Sequence, residues 1–168
     1  QFALGDVMGV EYQGVTAGGE DHPVIYIPHD DGLTEELGEI LCFYGQDAEV
    51  TAASHTDILC TRSTIKEPKA LNTFSADTEH DSGQPAITTN SFGKGQAIYI
   101  AGDVGGAYMN SPYPPLRRSI AELVGRTQSP LVVEAPEQIE MTAALRPSGD
   151  LMIHLVNNPT PLLPWKVK

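Results

Sequence analysis

Residues 83–127 read GQPAITTNSFGKGQAIYIAGDVGGAYMNSPYPPLRRSIAELVGRT, and this stretch decides the fold. Ala86, Ile87, Thr88 and Thr89 favour a strand, and so do Ala97, Ile98, Tyr99 and Ile100. Between them, Asn90-Ser91-Phe92-Gly93-Lys94-Gly95 supplies two glycines able to take positive φ, which is the signature of a hairpin turn. The Gly-Lys pair lacks the spacing of a phosphate-cradling loop. The uninterrupted apolar run Ala97–Ala101 predicts a strand buried on both faces, at the edge of an α/β sheet. Gly102-Asp103-Val104-Gly105-Gly106 follows as a tight turn, and residues 107–113 read as a connector.

A helix comes next. Ser111 is a candidate N-cap, and prolines 112, 114 and 115 suit a loop and first turn, where no N–H bond is lost. Leu116, Ile120, Leu123 and Val124 are spaced i, i+4, i+7 and i+8, which puts them on one face. That face is expected to pack on the strand at 97–101. Arg117, Arg118 and Glu122 form the opposite, solvated face, and Gly125 can stop the helix.

Outward from this segment, residues 2–10 read as the last turns of a helix closing at Gly9. Residues 10–75 offer short strand candidates at 10–15, 24–27, 40–44, 49–53, 57–61 and 71–74, the pattern of a small antiparallel sheet. Residues 75–84 read as a polar loop. Beyond the helix, 130–134, 139–145 and 151–156 look like the start of a β-domain, with Pro147-Ser148-Gly149-Asp150 as a turn and a Pro-rich tail ending on Trp165.

Composition narrows the function. The 168 residues, 40% of them hydrophobic, suffice for one core and a small appendage. The net charge is −12, and twelve acidic residues precede the first basic one, Arg62. Phosphate backbones and anionic membrane surfaces both need clustered Lys and Arg, so neither nucleic acid nor a membrane is an expected partner. No run could span a bilayer and no basic leader is visible, so a soluble, cytoplasmic setting is expected over secretion. The chain lacks an initiator Met and starts inside a helix; a piece of a longer protein is expected. Glu20-Asp21-His22 and His29-Asp30-Asp31-Gly32 do not match a calcium loop and read as solvated acidic loops. Cys42 and Cys60 sit in strand-like contexts; they could pair or stay as buried thiols, and their spacing does not suggest zinc.

No catalytic constellation stands out. The nucleophile elbow G-x-S-x-G is absent, and the histidines at 22, 29, 55, 80 and 154 are scattered. His154, between Ile153 and Leu155, reads as a strand histidine. No catalytic, cofactor-binding or metal-binding residue is assigned. Two alternatives remain open: a hydrolase-type site built from Asp103 and His55, and a carbohydrate-binding module in which Tyr108, Tyr113 and Trp165 stack on sugar rings.

The run GQPAITTNSFGKGQAIYIAGDVGGAY…SPYPPLRRSIAELV, followed by LVVEAPEQIEMTAALRPSGDLMIHLVNN, resembles the trimerisation domain and following β-domain of β-galactosidases of glycoside hydrolase family 42. The resemblance covers 83–157 well, 1–15 moderately and 16–82 loosely. It implies a partial class I glutamine amidotransferase-like (flavodoxin-like) α/β sheet with an inserted antiparallel β region, followed by a small β segment. It assigns residues 1–127 to the trimerisation domain and 128–168 to the start of the β-domain. It also implies an assembly role without chemistry of its own, without a cofactor, and with a second copy or other parts of the parent protein as partner.

Overall fold

The computed structural model describes residues 3–15, 23–65, 78–126, 134–136 and 139–157. The chain divides into two compact units, Gln1–Thr127 and Gln128–Lys168. The first contains, in order, α1 (Gly5–Met8), β1 (Val10–Val15), β2 (Pro23–Pro28), α2 (Asp31–Leu37), β3 (Leu41–Tyr44), β4 (Ala48–Ala52), β5 (Asp57–Ile65), β6 (Thr78–Phe92), β7 (Gly95–Ile100), α3 (Val104–Asn110) and α4 (Pro114–Arg126). Five strands form a curled sheet in the order β3-β2-β5-β6-β7, while β1 and β4 pair as a separate ribbon. Every strand pair among the described residues is antiparallel.

The opening stretch folds as a hairpin. Phe92 pairs with Gly95 and Ile87 with Ile100, and Gly93 takes φ 61° in the turn. The expectation of a fully buried strand at 97–101 is corrected: β7 is the edge of the sheet and only half-buried. Its run is continuously apolar because both faces have neighbours. Ile98 and Ile100 pack on the core, while the Tyr99 phenol is raised by burial and then by nearby Asp47 and Tyr12.

Three further expectations change. Residues 78–84 are not loop; they open the long strand β6, where Asp81, Ser82, Gly83 and Gln84 are all exposed. The acidic loop at 29–32 is the start of α2. Asp30 caps it by accepting from the Leu33 N–H at 3.1 Å, Leu33 is fully buried, and Gly38 closes it at φ 76°. The segment 107–113 is not a connector but mostly α3. Its N-cap is Asp103, and Ser111 ends it rather than starting α4.

Helix α4 buries Leu116, Ser119 and Leu123, with Ile120 half-buried. Val124 is 62% exposed, so the expected apolar face is narrower than its spacing suggested. The helix packs mainly on α2, with contacts to α3 and β3, and not chiefly on β7 as expected. The buried Ser119 hydroxyl donates to the Leu116 carbonyl at 2.7 Å, which satisfies it inside the helix. Helical structure runs through Gly125 to Arg126.

The helix closing at Gly9 forms as expected. Gly9 takes φ 66°, and an added Cβ would lie 2.1 Å from Thr56 Oγ1, so only glycine fits. Asn90, buried on β6, donates its Nδ2 to the Val7 carbonyl at 2.8 Å and ties α1 to the sheet. Cys42 faces Ile25 across β3–β2 and Cys60 faces Pro28 across β2–β5. With β2 between them, both are free thiols. Burial pushes the Cys60 thiol up to about 12.

In the second unit, β8 (Ile139–Leu145) and β9 (Leu151–Asn157) form the expected hairpin, in register from Ile139–Asn157 to Leu145–Leu151. Its turn is closed by Arg146 N–H to Asp150 carbonyl at 2.9 Å, with Gly149 at φ 89°. His154 lies exposed on β9. The strand candidate 71–74, the cluster at 20–22, most of 130–134 and Trp165 fall outside the described residues. No helix among the described residues is long and apolar enough to cross a membrane.

Candidate functional site

Chemistry-bearing side chains gather around the junction of β7 and α3. The segment before β4 is stitched to it: Ala48 N–H donates to the Ala101 carbonyl at 3.0 Å, and Asp103 N–H to the Gln46 carbonyl at 3.1 Å. Gly102 is required here. A Cβ would sit 2.5 Å from Phe43 Cζ and 2.6 Å from the Tyr26 hydroxyl. Tyr26 and Phe43 meet edge to face, ring centroids 5.2 Å apart.

Beneath this junction lies a buried charge. Asp47, 2% exposed, accepts from the Tyr26 hydroxyl at 3.0 Å and from Arg62 Nε at 2.6 Å. The Arg62 guanidinium also donates to the Ala48 carbonyl at 2.9 Å and to Gln84 Oε1 at 2.7 Å. Burial first, then the Asp47 charge and hydrogen bond, push the Tyr26 phenol far above its ordinary range. Tyr26 therefore stays a neutral donor, and the pair is a structural clamp with its donors and acceptors engaged.

Above the junction, two open grooves flank the α3–α4 elbow. One, of about 430 Å³, is lined by Tyr108, Pro112, Pro114, Arg117, Arg118 and Ala121. The other, of about 310 Å³, is lined by Tyr44, Tyr113, Phe43 and Cys42 with Ala107, Asn110 and Ser111. The two tyrosines singled out in the sequence thus lie in separate grooves. Tyr108 is anchored against the core and Tyr113 is 45% exposed.

The hydrolase alternative finds no support in the geometry. The Asp103 carboxylate accepts from the Gly106 N–H at 2.9 Å and is occupied as the α3 cap. His55 lines a third groove, about 460 Å³, with Asp6, Glu11 and Tyr12, and Asp103 is not part of its wall. A different histidine meets a carboxylate and a hydroxyl: His29 Nε2 lies 2.6 Å from Thr61 Oγ1 and 3.3 Å from Asp81 Oδ2. Both partners face the same ring nitrogen. A nucleophile–base–acid relay needs them divided between the two nitrogens, so this cluster is not one. Burial raises the Asp81 carboxyl, but hydrogen bonds from Thr61 and the Gly83 N–H, with His29 nearby, hold it below the usual carboxylate value. Among the described residues, no three His, Cys, Asp or Glu side chains converge as a metal site would require.

Sequence reasoning passed over Asp47, Tyr26 and Arg62. Arg62 carried a signal, as the first cation after sixty-one residues without one. An isolated cation in an acidic, strand-rich context is a candidate for an internal ion pair.

No protein-family model matches the sequence, and no curated protein matches it. Among solved structures, the chain is similar to a β-galactosidase from Bacillus circulans sp. alkalophilus, with 21% identity over 92% of this chain and TM-score 0.52. It is also similar to the α-L-fucosidase isoenzyme 2 from Paenibacillus thiaminolyticus, with 20% identity over 88% of this chain and TM-score 0.55. The matched segments make up 19% and 22% of those proteins, so the chain spans about a fifth of their length. Both are glycoside hydrolases, and what they share with this chain is the fold.

Proposed function

We propose that this chain is a non-catalytic assembly module of a glycoside hydrolase-type protein. Residues 1–127 would be the C-terminal part of an amidotransferase-like trimerisation domain, and 128–168 the start of its C-terminal β-domain. The observation that carries the reading is a fold shared over about nine-tenths of this chain with a minor segment of two glycosidases acting on different sugars. A module kept while the sugar changes is better explained by architecture than by substrate recognition. The engaged carboxylates support it: Asp47 is clamped by Arg62 and Tyr26, while Asp30 and Asp103 cap helices.

Two measurements test it. The purified chain is expected to leave aryl β-galactosides and aryl α-L-fucosides intact; turnover lost on substituting one of its own carboxylates would refute the reading. The chain is also expected to self-associate, and a strictly monomeric mass at high micromolar concentration removes the assembly role. The carbohydrate alternative, resting on Tyr108 and Tyr113, predicts saturable binding of galactose or fucose by the chain; the assembly reading predicts none.

A further inference from the structure

The first unit carries two grooves of similar size and opposite character. The groove on α3 and α4, about 430 Å³, combines the aromatic wall of Tyr108 with Arg117 and Arg118. Among the described residues of the first unit, the other cations are Lys94, exposed in the β6–β7 turn, Arg62, bound to Asp47, and Arg126, bound to Asp30 and Glu122. Both arginines of the groove are exposed, and next to them Met109 stands 80% exposed at the end of α3. The groove between α1, β1 and β4, about 460 Å³, presents the exposed carboxylates Asp6 and Glu11 and the half-exposed ring of Tyr12. Among the described residues its wall holds no Lys or Arg, and His55 is its one imidazole.

We propose that the arginine groove of one molecule receives the Asp6–Glu11–Tyr12 rim of a second copy of this chain. The inference rests on the self-association reading above and names the surfaces that would carry it. Charge decides the occupant. In a protein of net charge −12, two acidic faces repel, so a face-to-face pairing of the carboxylate groove with itself is disfavoured. The complementary pairing sets guanidinium groups against carboxylates, where planar two-point hydrogen bonds form, and an aromatic ring from each side covers apolar surface. Because the two patches differ, the contact is head-to-tail. Such contacts build closed rings when the rotation per subunit divides a full turn, and open chains when it does not. The carboxylates also orient the encounter, so association by this route weakens as salt rises.

The test is a charge-reversal cycle read by sedimentation equilibrium of the full chain. Arg118→Glu and Glu11→Lys should each weaken association by about tenfold or more, as expected for reversing one member of a close interfacial pair. The double variant Arg118→Glu/Glu11→Lys should recover most of the loss, because the pair is restored with its signs exchanged. Both side chains are exposed, and circular dichroism melting should show the fold unchanged. If wild type assembles but the single variants assemble equally well, or the double variant is no better than the singles, this contact is refuted and self-association survives. If wild type stays monomeric at high micromolar concentration, both fall together.

Discussion

Arg62 on β5 closes on Asp47 with its Nε 2.6 Å from Oδ2, and the Asp47 side chain is 1% exposed. The pair locks the segment before β4 against the middle of the sheet, while the Tyr26 hydroxyl holds the second carboxylate oxygen. Removing one member leaves the other charge buried and unmatched, which costs roughly 3–5 kcal/mol. Arg62→Met is expected to lower stability by that amount in urea denaturation. Arg62→Met/Asp47→Leu should be distinctly more stable than Arg62→Met alone; equal stabilities would mean that the buried charge is not the source of the loss.

Leu123 and Val124 are sequence neighbours with opposite fates on α4, one buried at 3% exposure and the other open to water. Leu123→Ala should cost about 2–5 kcal/mol through lost burial and a cavity. Val124→Ala should change stability by less than about 0.5 kcal/mol. Equilibrium unfolding of both variants checks the helix orientation; similar losses would show that it is rotated.

Acid should loosen the α2–α4 contact. The Arg126 hydrogen bond, against the opposing effect of burial, holds the Asp30 carboxyl below its ordinary value, and the Leu33 N–H adds to this. A carboxyl depressed on folding contributes stability that is present above its unfolded value, about 3.9, and is lost as pH falls through the folded value. Asp81 has the same sign. Stability is therefore expected to decline from about pH 4 downward, and Asp30→Asn should flatten that decline. A pH profile of Asp30→Asn parallel to wild type would count against the pairing.

The Cys60 thiol, raised to about 12 by burial, is almost entirely protonated at neutral pH. Alkylation of Cys60 by iodoacetamide at pH 8 should be negligible in the native chain and complete in denaturant, as followed by peptide mass spectrometry. Rapid native labelling at Cys60 would mean that the core around β5 opens readily.

Much of the strand framework was legible in the residues, since β1, β2, β3, β4, β7, β8 and β9 overlap short stretches rich in apolar or β-branched residues between polar and Gly-rich links. The failures have separate causes. Asp30-Asp31-Gly32 read as a loop because an acidic cluster hides a cap when the buried Leu33 is weighed alone, and losing α2 removed the surface on which α4 packs. The polar start of β6 shows no alternation because residues 80–84 are exposed on both sides, held to β5 by backbone pairing and by the Arg62 and Ser63 side chains. Of the Asp47 clamp only the isolated Arg62 left a mark on the sequence, and its partners did not. The clamp joins residues brought together only when β2, β4 and β5 are in place, and spacing along the chain carries no trace of that meeting.

The β8–β9 hairpin has a consequence for the order of folding. Its register puts Ile139, Met141, Ala143 and Leu145 on one face with Leu151, Ile153, Leu155 and Asn157, and Glu140, Thr142 and Ala144 on the other with Met152, His154 and Val156. The two strands are joined by a short local turn, and such hairpins close in about 1–10 μs. The five-stranded sheet instead needs β2 to insert between β3 and β5, pairings distant along the chain that form far more slowly. The hairpin therefore presents that apolar side as soon as its two strands pair. An exposed apolar face of this kind is where one chain adheres to another, so the second unit carries its own tendency to associate.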